Sequence, residues 1–164
     1  MEYDLSTDIV QSADDFYEVY KRCRESRNPR QEGSATIVSV ANIPAIVNGA
    51  FSCELYLKYL LPEGNFGHDL YTLFNELDES TNEEIIDSQS QEILKEIATR
   101  FCHDNFDSLL FEMGKVFVDW RYIYEQKHAE GFYGNRINKY LETIDILINR
   151  LRFVVHERYS DSFN

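Results

Sequence analysis

Apolar residues recur along this chain at intervals of three and four over long stretches, and no run of alternating residues makes a convincing strand. The densest stretch runs from Pro44 to Leu61. Ile46, Ala50, Cys53, Leu57 and Leu60 form one stripe at helical period, and Phe51, Leu55 and Tyr59 widen it. So little of that surface suits water that a central helix is expected there. Glu54 and Lys58 interrupt it, four apart with the acid first, the favourable order for a helical pair. They share a face with Val47, Phe51 and Leu61, so a partly buried pair is expected. It reads either as a structural ion pair or as a polar notch where a ligand or a catalytic arginine would meet a carboxylate.

The flanking pattern is also helical. Residues 1–13 read as a polar lead-in, and Asp14 and Asp15 as the start of a helix whose apolar face is Phe16, Val19, Tyr20 and Cys23. Residues 27–32, RNPRQE, read as a basic loop. Pro44 either kinks a helix or opens one, and Pro62, Gly64 and Gly67 end it. His68 or Asp69 would cap a short helix burying Leu70, Leu73, Phe74 and Leu77. Residues 78–92 read as a mobile acidic connection, with Thr81 and Glu84 as a capping box for the next helix, and residues 85–101 as an amphipathic pattern diluted by polar residues. Asp104 or Asn105 would cap a helix presenting Phe106, Leu110, Met113, Phe117, Trp120 and Tyr124. The last helix, Arg136 to about Tyr159, would bury Ile137, Leu141, Ile144, Ile148, Leu151 and Val155. The expected fold is all-α, an antiparallel bundle of about five helices. Residues 1–35 would pack as a helix and loop on a bundle of residues 36–164, one domain overall.

Composition narrows the function. Seven glycines and three prolines in 164 residues favour long helices. A net charge of −13 disfavours a protein that coats nucleic-acid backbone, since phosphate binding is built on Lys and Arg. It leaves room for a small basic site or a basic protein partner. Cys23, Cys53 and Cys102 are odd in number and form no Cys-x-x-Cys, which fits a reduced cytosol and disfavours a zinc site. No segment has the length and apolarity of a membrane span, so a soluble cytoplasmic protein is expected.

Two stretches carry candidate chemistry. In DWRYIYEQKH, Arg121 and His128 are seven apart, and share a face about two turns apart if the helix continues. Arg121 sits at the core edge, with Glu125 one turn on, and Glu54 is a second candidate partner. In NRLRFVVHERY, Arg152 and His156 are one turn apart on one flank, whereas Arg150 and His156 diverge on a regular helix. A cation beside His156 would favour the neutral base form. The same charges with Arg158 also suit the C-terminus of a helix dipole. His68-Asp69 and His103-Asp104 match the dipeptide of metal-dependent phosphohydrolases, but both fall at helix starts, where Asp is a common cap. No metal and no cofactor is expected, and no phosphate loop, nucleophile elbow or His-Glu-x-x-His occurs.

VNGAFSCELYLKYLL, then GHDLYTLFNEL, then FVDWRYIYE resembles the HEPN superfamily (higher eukaryotes and prokaryotes nucleotide-binding) over about residues 40–126. The resemblance implies a helical bundle that often dimerises. It also implies, for many members, a metal-independent ribonuclease using an Arg, four to six intervening residues and a His, with two copies forming one cleft. Arg121/His128 and Arg150/His156 fit that spacing, and Arg152/His156 is one residue short. Tyr122 and Leu151 stand where the family commonly has a polar residue. Other members serve as binding modules. The expectation is therefore a homodimeric protein that binds or cleaves RNA in a bacterial defence or toxin–antitoxin setting, with Arg121 and His128 catalytic, and Glu54, Lys58, His68 and Glu125 supporting. Arg150, Arg152 and His156 are the second choice. The alternative is a noncatalytic module whose acidic surface meets a protein partner.

Overall fold

The computed structural model describes residues 5–26, 30–32, 35–37, 42–62, 67–114 and 133–161. The fold is all-α. Its helices among the described residues are α1 (Leu5–Glu25), α2 (Asn42–Leu60), α3 (Leu70–Asn75), α4 (Glu79–Ile85), α5 (Ser88–Arg100), α6 (Phe106–Met113) and α7 (Tyr133–Asp161). A two-stranded antiparallel ribbon, β1 (Arg30–Glu32) and β2 (Ala35–Ile37), links α1 to α2, with Gln31 opposite Thr36. No described helix is long and apolar enough to cross a membrane.

Helix α2 lies at the centre, with α1 and α7 packed along it. Its expected stripe is buried at Ile46, Ala50, Cys53 and Leu57, each fully enclosed, while Leu60 at the helix end is half-buried. Helix α7 buries Ile137, Leu141, Ile144, Ile148, Leu151 and Val155 as its spacing predicts. Gly49 sets the closest approach of the three. A Cβ there would lie 2.6 Å from Ile144 Cγ2 on α7 and 2.7 Å from Tyr20 Cδ2 on α1, so only glycine admits this contact. The shorter helices cover one side: α3 meets α6, α5 meets α6 and α7, and α4 lies on α7.

Four short polar residues start helices α3 to α6. Asp69, Asp78, Asp87 and Asn105 each accept a backbone N–H three residues on, which satisfies an orphan donor of the first turn. At α6 this becomes a reciprocal capping box with Ser108. The structure corrects several expectations here. Residues 78–92 are not a loose connection but two capped helices, and Asp78, not Thr81, is the cap of α4. Asp14 is not a helix start, because α1 already begins at Leu5 and buries Val10 and Ala13. Val19, expected in the core, is 42% exposed, since Tyr20 takes the inward position. Residues 30–32, read as part of a loop, form β1; the Gly33-Ser34 pair between two short runs was the hairpin signal. Trp120, Tyr124 and Phe117 lie outside the described residues.

Candidate functional site

The second-choice residues separate as helical geometry requires. Arg152 and His156 lie one turn apart on α7 and reach the same atom, Asp14 Oδ1 on α1, at 3.2 Å from Arg152 Nε and 2.9 Å from His156 Nε2. Tyr56 of α2 donates its hydroxyl to that oxygen as well, at 2.7 Å. Arg150 points away, to the backbone carbonyls of Glu84 and Ile85 and to Asp87. Three helices thus converge on one carboxylate, and Arg150 takes no part.

The electrostatics follow from that convergence. Partial burial works against the charge of Asp14. Hydrogen bonds from Tyr56 and His156, with the positive charges of His156 and Arg152, outweigh it and hold the carboxyl below its ordinary value. Burial first, then the hydrogen bond to Asp14 and its charge, push the Tyr56 phenol far up, so it stays a donor. The carboxylate therefore claims Nε2–H of His156, which in the neutral ring leaves Nδ1 as the nitrogen with a free lone pair. The guanidinium of Arg152 stacks over the Tyr17 ring, 4.9 Å from its centroid, and the hydroxyl of Tyr17 donates to Asn149.

This cluster borders an open groove of about 700 Å³, lined by Asn149, Arg152, Phe153, His156, Glu157 and Ser160 on the outer face of α7. His156 is 37% exposed and Phe153 50% exposed, so the groove offers an accessible imidazole beside an apolar ring. A second depression, of about 440 Å³, continues from Asn149 between α1 and α7, where Asp145 holds Arg24 and Tyr20.

Glu54 forms the buried pair with Lys58 expected in α2. It is 1% exposed, and its Oε1 accepts from Lys58 Nζ at 2.7 Å and meets His68 Nδ1 at 2.8 Å. The other oxygen, Oε2, has no hydrogen-bond partner among the described residues. The ion pair and the His68 contact are therefore joined at one atom. Arg121, Glu125 and His128 lie outside the described residues.

The two His-Asp dipeptides do not converge. His68 goes to Glu54, Asp69 caps α3, and His103 Nε2 meets Glu112 Oε2 at 2.8 Å. No group of three or more His, Cys, Asp or Glu suited to a metal occurs among the described residues. Glu112 instead gathers a third polar cluster: Lys139 Nζ at 2.6 and 2.7 Å, the Tyr140 hydroxyl at 2.9 Å, and His103.

Sequence reasoning missed Asp14, Glu112 and Lys139. For Asp14 a signal existed: Val10, Ala13, Tyr17 and Tyr20 keep helical period across it, which extends α1 backwards and makes Asp14 an acid flanking an apolar stripe. For Glu112 and Lys139 none did, because their meeting depends on how α6 and α7 pack. Searches against family models, curated proteins and solved structures return no match to this chain.

Proposed function

We propose that this is a HEPN-like helical protein that acts on RNA as a homodimer, cleaving it by histidine base catalysis, with His156, Arg152 and Asp14 as the working group. The observation that supports this is the shared Asp14 oxygen, which holds an exposed imidazole and a guanidinium together at the edge of an open groove. In such chemistry Nδ1 of His156 accepts the proton of a ribose 2′-OH as that oxygen attacks phosphorus and the 5′-oxygen departs. Arg152 offsets the added charge on the phosphorane, and Asp14 keeps the ring oriented. The pair Arg121/His128 is the rival site within the same reading.

The test is cleavage of a mixed RNA in the presence of EDTA. His156→Ala is expected to lower the rate by about 10²-fold or more, the scale of losing a general base, with the helical signal unchanged. The same loss in His128→Ala and not in His156→Ala would move the site to the rival pair. RNA left intact by the wild-type protein, with and without added divalent metal, would overturn the reading. Cleavage only with metal would favour phosphohydrolase chemistry.

A second reading, a noncatalytic module for a basic protein partner, is favoured by a different observation. Among the described residues, Arg24, Arg100, Arg150 and Arg158 each pair with a carboxylate of their own chain, in a molecule of net charge −13. Co-purification of a basic protein with an RNA-inert wild type would select it.

A further inference from the structure

The acidic charge of this molecule is concentrated on one side. Residues 67–114, which carry α3 to α6, hold twelve Asp and Glu against Lys95 and Arg100, so −10 of the net −13 lies in them. Arg150, Arg158 and Lys139 reach over from α7 and offset only three of those carboxylates, Asp87, Glu84 and Glu112. Phe111 emerges on this side. It is 70% exposed, the most exposed large apolar side chain among the described residues, against 50% for Phe153 and 42% for Val19. A lone exposed apolar residue is ordinary, but Phe111 is not alone. Its ring meets the Tyr71 ring of α3 edge-on at 5.2 Å, and a second edge-on pair, Phe74 with Phe106 at 5.7 Å, joins the same two helices. A packed helix pair therefore holds the ring out to solvent. Asp107 stands one turn before it on α6 and accepts from the Tyr71 hydroxyl at 3.4 Å. Asp104, also exposed, precedes the cap of that helix. Neither carboxylate has an ion pair among the described residues.

We infer that the Phe111–Tyr71 face of α3 and α6 docks a basic segment of another protein, one whose Lys or Arg side chains meet Asp107 and Asp104 and whose apolar side chain covers Phe111. Charge decides the occupant. RNA and an anionic lipid surface are repelled by a face of this sign. The same face of a second copy is equally acidic, and like charges across an interface oppose that docking. A basic partner meets neither penalty: the ring supplies a buried anchor, and the charges steer and orient the encounter. Neither α3 nor α6 lines the groove beside His156, so that groove stays open. The inference rests on the basic-partner reading for the sign of the partner's charge, and it is independent of cleavage at His156.

Random peptides displayed on phage and panned against the immobilised full chain give the test. The selected sequences are expected to carry Lys or Arg around a large apolar residue. Made with a fluorophore, they should bind wild type by anisotropy, and Phe111→Ser should weaken them about tenfold or more. Replacing Asp104 and Asp107 together by Asn should weaken them about threefold and flatten the dependence on salt. Both variants should keep wild-type helicity, because all three side chains are exposed. Panning that enriches nothing, or enriches peptides without basic residues, overturns the inference. So do peptides that Phe111→Ser binds as tightly as wild type. Self-association of the wild type that Phe111→Ser abolishes would overturn it too, by making a second copy the occupant. RNA cleavage is scored on the same variants and should not change. Docking lost with cleavage kept sinks only the docking, and an RNA-inert wild type that passes the peptide test sinks only the ribonuclease reading.

Discussion

His156 Nε2 lies 2.9 Å from Asp14 Oδ1, a contact that ties residues 142 positions apart and makes a surface histidine part of the packing of three helices. Replacing Asp14 by Asn removes the acceptor charge for Arg152, His156 and Tyr56 together. The expected loss at pH 7 is about 1.5–3 kcal/mol, the range for hydrogen bonds to a charged group. The pH dependence has a definite sign. Asp14 is held below its ordinary value in the folded protein, so its contribution is present above about pH 4 and lost as pH falls through the lower folded value. Urea midpoints of wild type and Asp14→Asn should therefore converge below about pH 4. Equal differences at pH 7 and pH 3 would show that the charge of Asp14 contributes nothing.

Glu54 has the opposite balance of burial and partners. It is enclosed almost completely, while Lys58 is 16% exposed and His68 60% exposed at their side chains. Glu54→Ala removes the acceptor for both and leaves a hole in α2. A loss of about 3 kcal/mol or more is expected by urea unfolding. A loss under about 0.5 kcal/mol would mean that the carboxylate holds nothing in place.

The Glu112 cluster should respond asymmetrically. Lys139 is 8% exposed at its side chain and Glu112 31%. Removing Glu112 strands a buried ammonium, whereas removing Lys139 leaves a carboxylate that reaches water and keeps Tyr140 and His103. Glu112→Ala is expected to cost about 3 kcal/mol and Lys139→Met less than half of that. The reverse order in thermal or urea unfolding would contradict the burial argument.

Cys102 occupies a left-handed backbone position, φ 60°, at the end of α5, where the His103 N–H returns to the Ala98 carbonyl. Where a helix ends on a left-handed residue, that residue is usually glycine. Cys102→Gly is expected to stabilise the protein by up to about 1 kcal/mol, because an L side chain is strained there. The same residue is exposed, whereas Cys53 is fully buried and burial pushes its thiol far up. A thiol reagent should modify Cys102 in the folded protein and reach Cys53 only on unfolding. Rapid labelling of Cys53 without denaturant would show that the core opens there.

The all-α fold was legible because its signal is local. The stripe of α2 and the six inward residues of α7 declare themselves by spacing alone. Short Asp and Asn caps were less legible: Asp69 and Asn105 stood out before apolar runs, whereas Asp78 and Asp87 hid in an acidic stretch that reads as loop. The candidate site was legible by halves. Arg152 and His156 share a flank because they share a helix, but no property of either names Asp14, which arrives from α1 by packing. Polar partners brought together across helices are the part that periodicity leaves open. Glu54 was the exception, since its partner Lys58 sits one turn away on the same helix.

The bonds that fasten α1 to α7 join the two ends of the described chain: Thr7 with Tyr159, Asp14 with His156, Tyr17 with Asn149. During synthesis α1 and α2 emerge long before the residues that complete their burial. Until about residue 159 has left the ribosome, one side of α2 faces solvent with its apolar stripe unmatched. A nascent chain in that condition is a client for chaperones, and an early stop codon anywhere before α7 yields a sticky fragment instead of a smaller folded protein.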